Sequence, residues 1–308
     1  MVETAPLWSV LVLPPALAGF ALAAAGFDAV LSARASGGAL RSALAAPACE
    51  AVRLLVQQRR VTRQPDLLLW RLGPAVVVAA ALLAAMVIPV GGRSVSDLSV
   101  GVVWFNAMEA LVWGGLWLAG WGPNSVYGLV GGYRFVAQGL AYELPHMFAL
   151  ITAALGAESL RVGAIVDAQA GLWFAAWMPV AFALYLLSVL AMSFWGPFGQ
   201  PAGREIAGGV LAELAGVDRL LLVAGRYLLL AASGAFAVPL FLGGGQGPLL
   251  PAWLWSVLKT AAVLALLVWA RRRLPAVRMD RFEELAWVVL IPLAILQALA
   301  VAIVVVMR

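Results

Sequence analysis

The chain has 308 residues, is 64% hydrophobic and only 11% charged, and has a mean hydropathy of +0.98. A soluble domain of this size carries about a quarter charged residues, so the composition predicts an all-α, polytopic integral membrane protein. One cysteine, Cys49, and one histidine, His146, exclude an internal disulfide, a multi-cysteine metal or iron–sulfur site, and a zinc or haem constellation. Any redox chemistry then belongs to a partner or a diffusible cofactor.

In chain order, about eight apolar runs are long enough to cross a bilayer. They fall at roughly 7–27, 70–90, 99–120, 135–155, 172–194, 219–242, 252–272 and 285–306. The first follows "MVETAPLW", which carries Glu3 and no basic residue, and so reads as a retained span and not a cleaved signal. Between the first two spans, "APACEAVRLLVQQRR" puts Ala48, Val52, Leu55 and Val56 on one helical face. That period predicts an amphipathic helix at the interface or beneath a partner.

The net charge of +5 reads as topology, not as nucleic-acid binding. Loop one holds Arg34, Arg41, Arg53, Arg59, Arg60 and Arg63; loop seven holds Arg271, Arg272, Arg273, Arg278 and Arg281. Loop two has Arg93, loop four has Arg161, and "GGGQGPLLP" in loop six has no charge. Cytoplasmic loops accumulate arginine, so both termini are expected outside, in a single multi-pass membrane domain over 1–308.

A charge at mid-bilayer costs at least ~2.5–3.5 kcal/mol on insertion scales and normally faces a bundle interior or a water path. Glu109, Glu143, His146 and Lys259 fall within spans, with Arg134 at the start of the fourth and Arg226 inside the sixth. In "GGYRFVAQGLAYELPHM", Arg134, Gln138 and Tyr142 recur at four-residue spacing, with Glu143 a further 100° round and Pro145 beside it. A helix loosened at proline, bearing a carboxylate and an imidazole, suits a proton path. A structural ion pair suits the same residues equally; Glu109 also reads as a silent protonated carboxyl, and Lys259 as a snorkelling end residue.

Two stretches resemble a known family. "WGPNSVYGLVGGYRFVAQGLAYELP" is similar to N-S-K-Y-A-L-L-G-A-x-R-A-x-A-Q-x-x-S-Y-E-V-P of the H subunit of bacterial NADH-quinone oxidoreductase, the equivalent of subunit 1 of respiratory complex I. "LKTAAVLALLVWARRRLPAVRMDRF" resembles the same family's K-T…W-x-R…P-x-x-R-x-D, with Lys259, Thr260, Trp269, Arg271, Pro275, Arg278 and Asp280 in register. The resemblance extends over nearly the whole chain.

It implies a membrane foot for a peripheral redox arm, a quinone chamber at a subunit interface, and buried carboxylates coupling quinone reduction to proton movement. Carried over, Glu143 matches the carboxylate of Y-E-V, Glu205 that of S-E-L-V and Glu213 that of E-Y-S-G. These three are the expected proton path. Arg134, Gln138, Tyr142, Pro197 and Phe198 are the expected quinone-chamber residues. No covalently bound cofactor is implied; quinone is the substrate, and the partners are other membrane subunits, iron–sulfur subunits and the lipid bilayer, with no nucleic acid.

The departures sit in one loop. Where the family reads E-T-N-R-x-P-F-D-x-P-E-A-E-S-E-L-V, this chain has "MSFWGPFGQPAGREIAGG", with Met192, Trp195 and Gly199 for a glutamate, an arginine and an aspartate. Asp28 falls within a residue of the glutamate of E-R-K. Alternatives therefore stand beside the quinone reading: a divergent paralogue in a membrane-hydrogenase-like assembly with altered or lost quinone chemistry, a stand-alone proton-linked transporter, or a scaffold without coupling.

Overall fold

The structure is a computed structural model that describes residues 2–203 and 208–307. The chain is helical but for one pair of two-residue strands. The order is β1 (Glu3–Thr4), α1 (Ser9–Ser36), α2 (Leu40–Val56), α3 (Leu67–Ala85), β2 (Arg93–Ser94), α4 (Gly101–Trp121) and α5 (Val126–Ala157). Then come α6 (Val162–Ala168), α7 (Phe174–Trp177), α8 (Pro179–Met192), α9 (Gly216–Phe241), α10 (Ala252–Arg273), α11 (Met279–Leu285) and α12 (Ile291–Val306). Among the described residues seven helices are long and apolar enough to cross a membrane: α1, α3, α4, α5, α9, α10 and the continuous rod Met279–Val306.

The apolar run at 172–194 is not one helix. The four-residue α7 ends at Met178, and α8 starts afresh at Pro179 and runs 14 residues. At 1.5 Å per residue α8 is about 21 Å long, short of a hydrocarbon core of about 30 Å. In the final rod, Pro292 has no N–H to give to the preceding turn. The backbone answers with a π-helical stretch at Ala286–Leu290 before α12 continues.

Small residues bring the helices together, as expected where lipid is as apolar as leucine. A Cβ on Gly73 of α3 would stand 2.5 Å from the Ala119 nitrogen of α4. One on Gly120 of α4 would meet the Gly128 oxygen of α5 at 2.7 Å. Around these seams Phe105 and Phe236 stack at 3.7 Å and Tyr185, Phe241 and Trp195 are fully buried.

The connections collect at two ends. At one, β1 pairs in parallel with β2, Val102 N–H donates to Leu160 O, and Gly91 N–H donates to Ser256 Oγ. At the other, Asp66 N–H donates to Gly122 O, Gly216 N–H to Gln57 Oε1, and Thr62 Oγ1 to Pro123 O. Arg59, Arg271 and Arg272 belong to this second end, Arg93 and Arg161 to the first.

For α2 the sequence predicts an apolar face at the interface or beneath a partner, and within the chain that face is uncovered. Ala43 and Leu54 face the bundle, while Val52, Leu55 and Val56 are exposed.

Candidate functional site

The polar stretch lies in α5, which begins at Val126, well before the apolar run suggested. Its first turns hold Gly128, Gly131 and Gly132, and hydropathy averages these with Arg134 into an apparent loop. The glycines have a packing reason. A Cβ on Gly131 would lie 2.2 Å from the Val210 nitrogen and 2.7 Å from the Pro201 oxygen, so only glycine lets the backbone at Pro201 and at Gly209–Val210 rest on α5. That close approach brings carbonyls within reach: Arg134 Nη1 donates to Gly208 O at 3.1 Å, and Gln138 Nε2 to Ala191 O at 2.6 Å. Tyr142 completes the stripe by accepting from Trp113 Nε1 of α4 at 3.0 Å. The helix continues through a buried Pro145 without breaking.

The intramembrane ionisable groups separate into two places. In the first, Glu109 of α4 and His146 of α5 are both buried, with His146 Nε2 2.7 Å from Glu109 Oε2. The other carboxylate oxygen accepts from Ser233 Oγ of α9 at 3.0 Å. Tyr185 of α8 lies beside the imidazole, ring centroids 5.3 Å apart, with its hydroxyl donating to Ser233 O. Glu143, one turn before His146, is half-buried, accepts from Asn106 Nδ2 at 3.3 Å, and is within electrostatic reach of both Glu109 and His146. Four helices thus converge on three titratable groups.

In the second place, Lys259 of α10 donates to Leu242 O, Gly244 O and Gln246 O at 2.6, 3.0 and 2.7 Å. Its Nζ also sits 4.1 Å from the centre of the Trp173 ring. An ammonium has three protons to donate, and all three are engaged. Lys259 is therefore a buried clamp on the 242–246 loop and not an end residue reaching for water.

A third feature has no forerunner in the sequence reading. A cavity of about 890 Å³ opens between α1, α2 and α9, in the size range of small-molecule sites. Most of its wall is small and apolar, with Ala21, Ala25, Ala29, Ala43 and Leu54 among the lining. At its polar margin Asp28 is held by Arg271 at 2.6 Å and by Arg272 through contacts of 2.7 and 3.0 Å. None of Arg134, Gln138, Tyr142, Pro197 and Phe198 lines this cavity. Pro197 is buried behind it, its carbonyl accepting from Val277 N–H, and Phe198 packs on Phe282.

The divergent loop fills the space next to the arginines. Trp195 is fully buried, with the guanidinium of Arg226 4.6 Å and that of Arg271 4.5 Å from its ring. Such flanking by cations is favourable for an indole. Met192 is buried as well, its sulfur 3.4 Å from Ser233 Oγ. Glu213 lies apart from the buried pair and accepts from Ser125 Oγ at 2.6 Å, at the head of α5. Glu205 lies outside the described residues.

Pairing of Glu109 with His146 and of Asp28 with Arg271 and Arg272 escaped sequence reasoning. These partners are on different helices, and no spacing rule links them. The one available signal was that Glu109 and His146 fall inside apolar spans; Asp28 and Arg271 fall in loop stretches, where charge is ordinary.

No group of three or more His, Cys, Asp or Glu side chains able to hold a metal occurs among the described residues. Comparison with known proteins agrees on one family. A family model described as NADH dehydrogenase matches residues 29–302. The NADH-quinone oxidoreductase H subunit numbered 2 in Geobacter sulfurreducens is 38% identical over 264 residues, covering 82% of this chain and 80% of that one. The H subunit numbered 2 in Cereibacter sphaeroides is 38% identical over 256 residues, with the same two coverages. The H subunit of Protochlamydia amoebophila is 32% identical over 267 residues, covering 83% and 82%. The chain therefore belongs to the NADH dehydrogenase family, among chains named as H subunits of NADH-quinone oxidoreductase.

Proposed function

We propose that this chain is the membrane subunit of a complex I-like NADH-quinone oxidoreductase, receiving quinone in the α1–α2–α9 cavity and passing protons through Glu143 and the buried α4–α5 carboxylate. The carrying observation is the cavity. It is mostly apolar, as the isoprenoid tail of a quinone requires, and it ends on an arginine–aspartate cluster able to meet a polar headgroup. The chain itself supplies no redox group, so electrons arrive from a partner subunit seated at the arginine-rich end. The exposed Val52, Leu55 and Val56 of α2 offer such a partner, or the lipid surface, an apolar face.

On this reading the Arg134–Gln138 stripe holds the backbone at Gly208 and Ala191 beneath the partner and does not touch quinone. Glu213, bonded to Ser125 at the same end, stands where protons enter or leave the cytoplasmic side. With α8 as a short eighth crossing, both termini face outward and the chain forms one domain of a bacterial inner membrane. An impermeant thiol reagent that reaches the exposed Cys49 from the periplasm would overturn that orientation.

Filling the cavity tests the quinone assignment. Ala29→Trp should leave the complex assembled and lower quinone reduction at least about tenfold, a loss of about 1.4 kcal/mol in transition-state binding. Unchanged quinone kinetics would place the substrate elsewhere. A second reading, with a different electron acceptor, draws on Trp195, which stands where the resembling family has an arginine. It predicts that Ala29→Trp is silent towards quinone.

A further inference from the structure

His146 is the one histidine of the sequence, and the proton route through carboxylates does not require it. The ring is fully buried in the middle of α5. Nε2 is in ion-pair contact with Glu109 Oε2 at 2.7 Å, yet without the alignment of a full hydrogen bond, and Nδ1 has no hydrogen-bond partner among the described residues. Buried polar atoms are nearly always hydrogen-bonded. An imidazole with an open nitrogen, set against a carboxylate, is therefore a group with unused proton capacity.

The groups around it come from four helices. Glu109 and Asn106 face it from α4, Tyr142 and Glu143 share α5, Tyr185 comes from α8 and Ser233 from α9. Tyr185 and Ser233 have their hydroxyl protons engaged, on Ser233 O and on Glu109 Oε1. Glu143 is the half-buried titratable member of the set, and accepts from Asn106.

We propose that His146 and Glu109 hold one proton between them and that His146 relays protons between Glu143 and Glu109. The relay rests on the reading of Glu143 as a proton site. A proton leaving the Glu143 carboxyl adds to Nδ1, and the proton on Nε2 passes to Glu109 Oε2. Glu143 ends as a carboxylate, Glu109 as a carboxylic acid, and the imidazole as the neutral Nδ1–H tautomer. One proton has entered the ring and one has left, with no electron moved. The starting tautomer returns when Nδ1 gives up its proton and Nε2 takes one, an exchange of protons that rotation of the ring alone does not supply.

Across the step the three groups keep a total charge of −1, which moves from Glu109 to Glu143. Once it has taken up the proton the pair is neutral, either as carboxyl with imidazole or as carboxylate with imidazolium, so the step adds no further charge to the bundle. The resetting step also needs room at Nδ1, and that atom has no bond to break.

The test uses the assembled complex in proteoliposomes. In His146→Gln the side-chain amide can still donate to Glu109 but cannot carry a proton. Quinone reduction should continue, while protons moved per electron fall at least about tenfold, as for loss of a general acid–base group. Normal pumping by His146→Gln overturns the relay and leaves His146 a structural partner. Glu143→Gln is measured beside it. If Glu143→Gln pumps normally, the Glu143 reading falls; if only His146→Gln does, that reading stands and the relay falls.

Should His146→Gln fail to assemble, the full-length chain in nanodiscs decides. With a single histidine, ring-15N labelling reports on this site alone. The resonances should show the ring exchanging between protonation forms in the wild-type chain, and Glu109→Gln should change the populations of those forms. A ring that stays one neutral tautomer throughout, in both proteins, overturns the shared proton.

Discussion

Lys259 and the Glu109–His146 pair are both ionisable groups enclosed by the bundle, and they are held in opposite ways. Every proton of the lysine is given to a backbone carbonyl, and the indole of Trp173 covers it. Around Glu109 and His146 the bonding is incomplete, with a misaligned contact and an open ring nitrogen. The lysine's acceptors belong to the 242–246 loop, whose Gly243 and Gly244 sit at φ 67° and 55° and cannot fold back on themselves without a donor inside. Full satisfaction fixes a loop; partial satisfaction leaves a proton free to move. Burial by itself therefore does not mark a functional charge, and the count of unused valences does.

That contrast can be broken most forcefully at the lysine. Lys259→Met strips three carbonyls of their donor, and with buried acceptors at ~1–3 kcal/mol each the loss should be on the order of 3 kcal/mol or more. It should appear as a lower melting temperature and faster proteolysis of the 242–250 loop. Wild-type melting would mean that the clamp carries no structural weight.

A smaller stability change and a larger functional one are expected at the pair. Glu109→Gln should alter stability by about 1 kcal/mol and leave quinone reduction in place, while proton transfer falls at least about tenfold. A variant that melts early and still pumps would reverse the two roles. Smallest of all is Ser233→Ala, which removes one donor to Glu109 at about 0.5–1.5 kcal/mol. Its pumping should stay within about twofold of wild type.

The bundle of apolar helices was legible because hydropathy is a sum over many residues and survives local irregularity. It failed where chain chemistry is local. The break at Met178–Pro179 lies inside a run that is apolar throughout, so nothing in the average marks it. The start of α5 was hidden by glycines that serve a packing contact with Val210, a reason visible only when both segments are placed. At the site, the polar residues of α5 could be singled out but not their partners. Lys259 bonds only to backbone carbonyls, which any residue would supply, so sequence carries no trace of them. The cavity was hidden for a related reason: alanine is the commonest residue in its wall, and alanines on three helices look the same whether they touch or stand apart.

The contact between Asp28 and Arg271 joins residues 243 positions apart. During synthesis Asp28 leaves the ribosome long before α10 exists, and domains of a growing chain gain structure from the N-terminus onward. The α1 carboxylate must wait, hydrated or otherwise compensated, until nearly the whole chain has been inserted. The cavity's polar margin is then the last part of the subunit to close, and a chain truncated before Arg271 would present an open chamber to its partners. The Asp28–Arg271 bond thus reports that synthesis and insertion have passed α10.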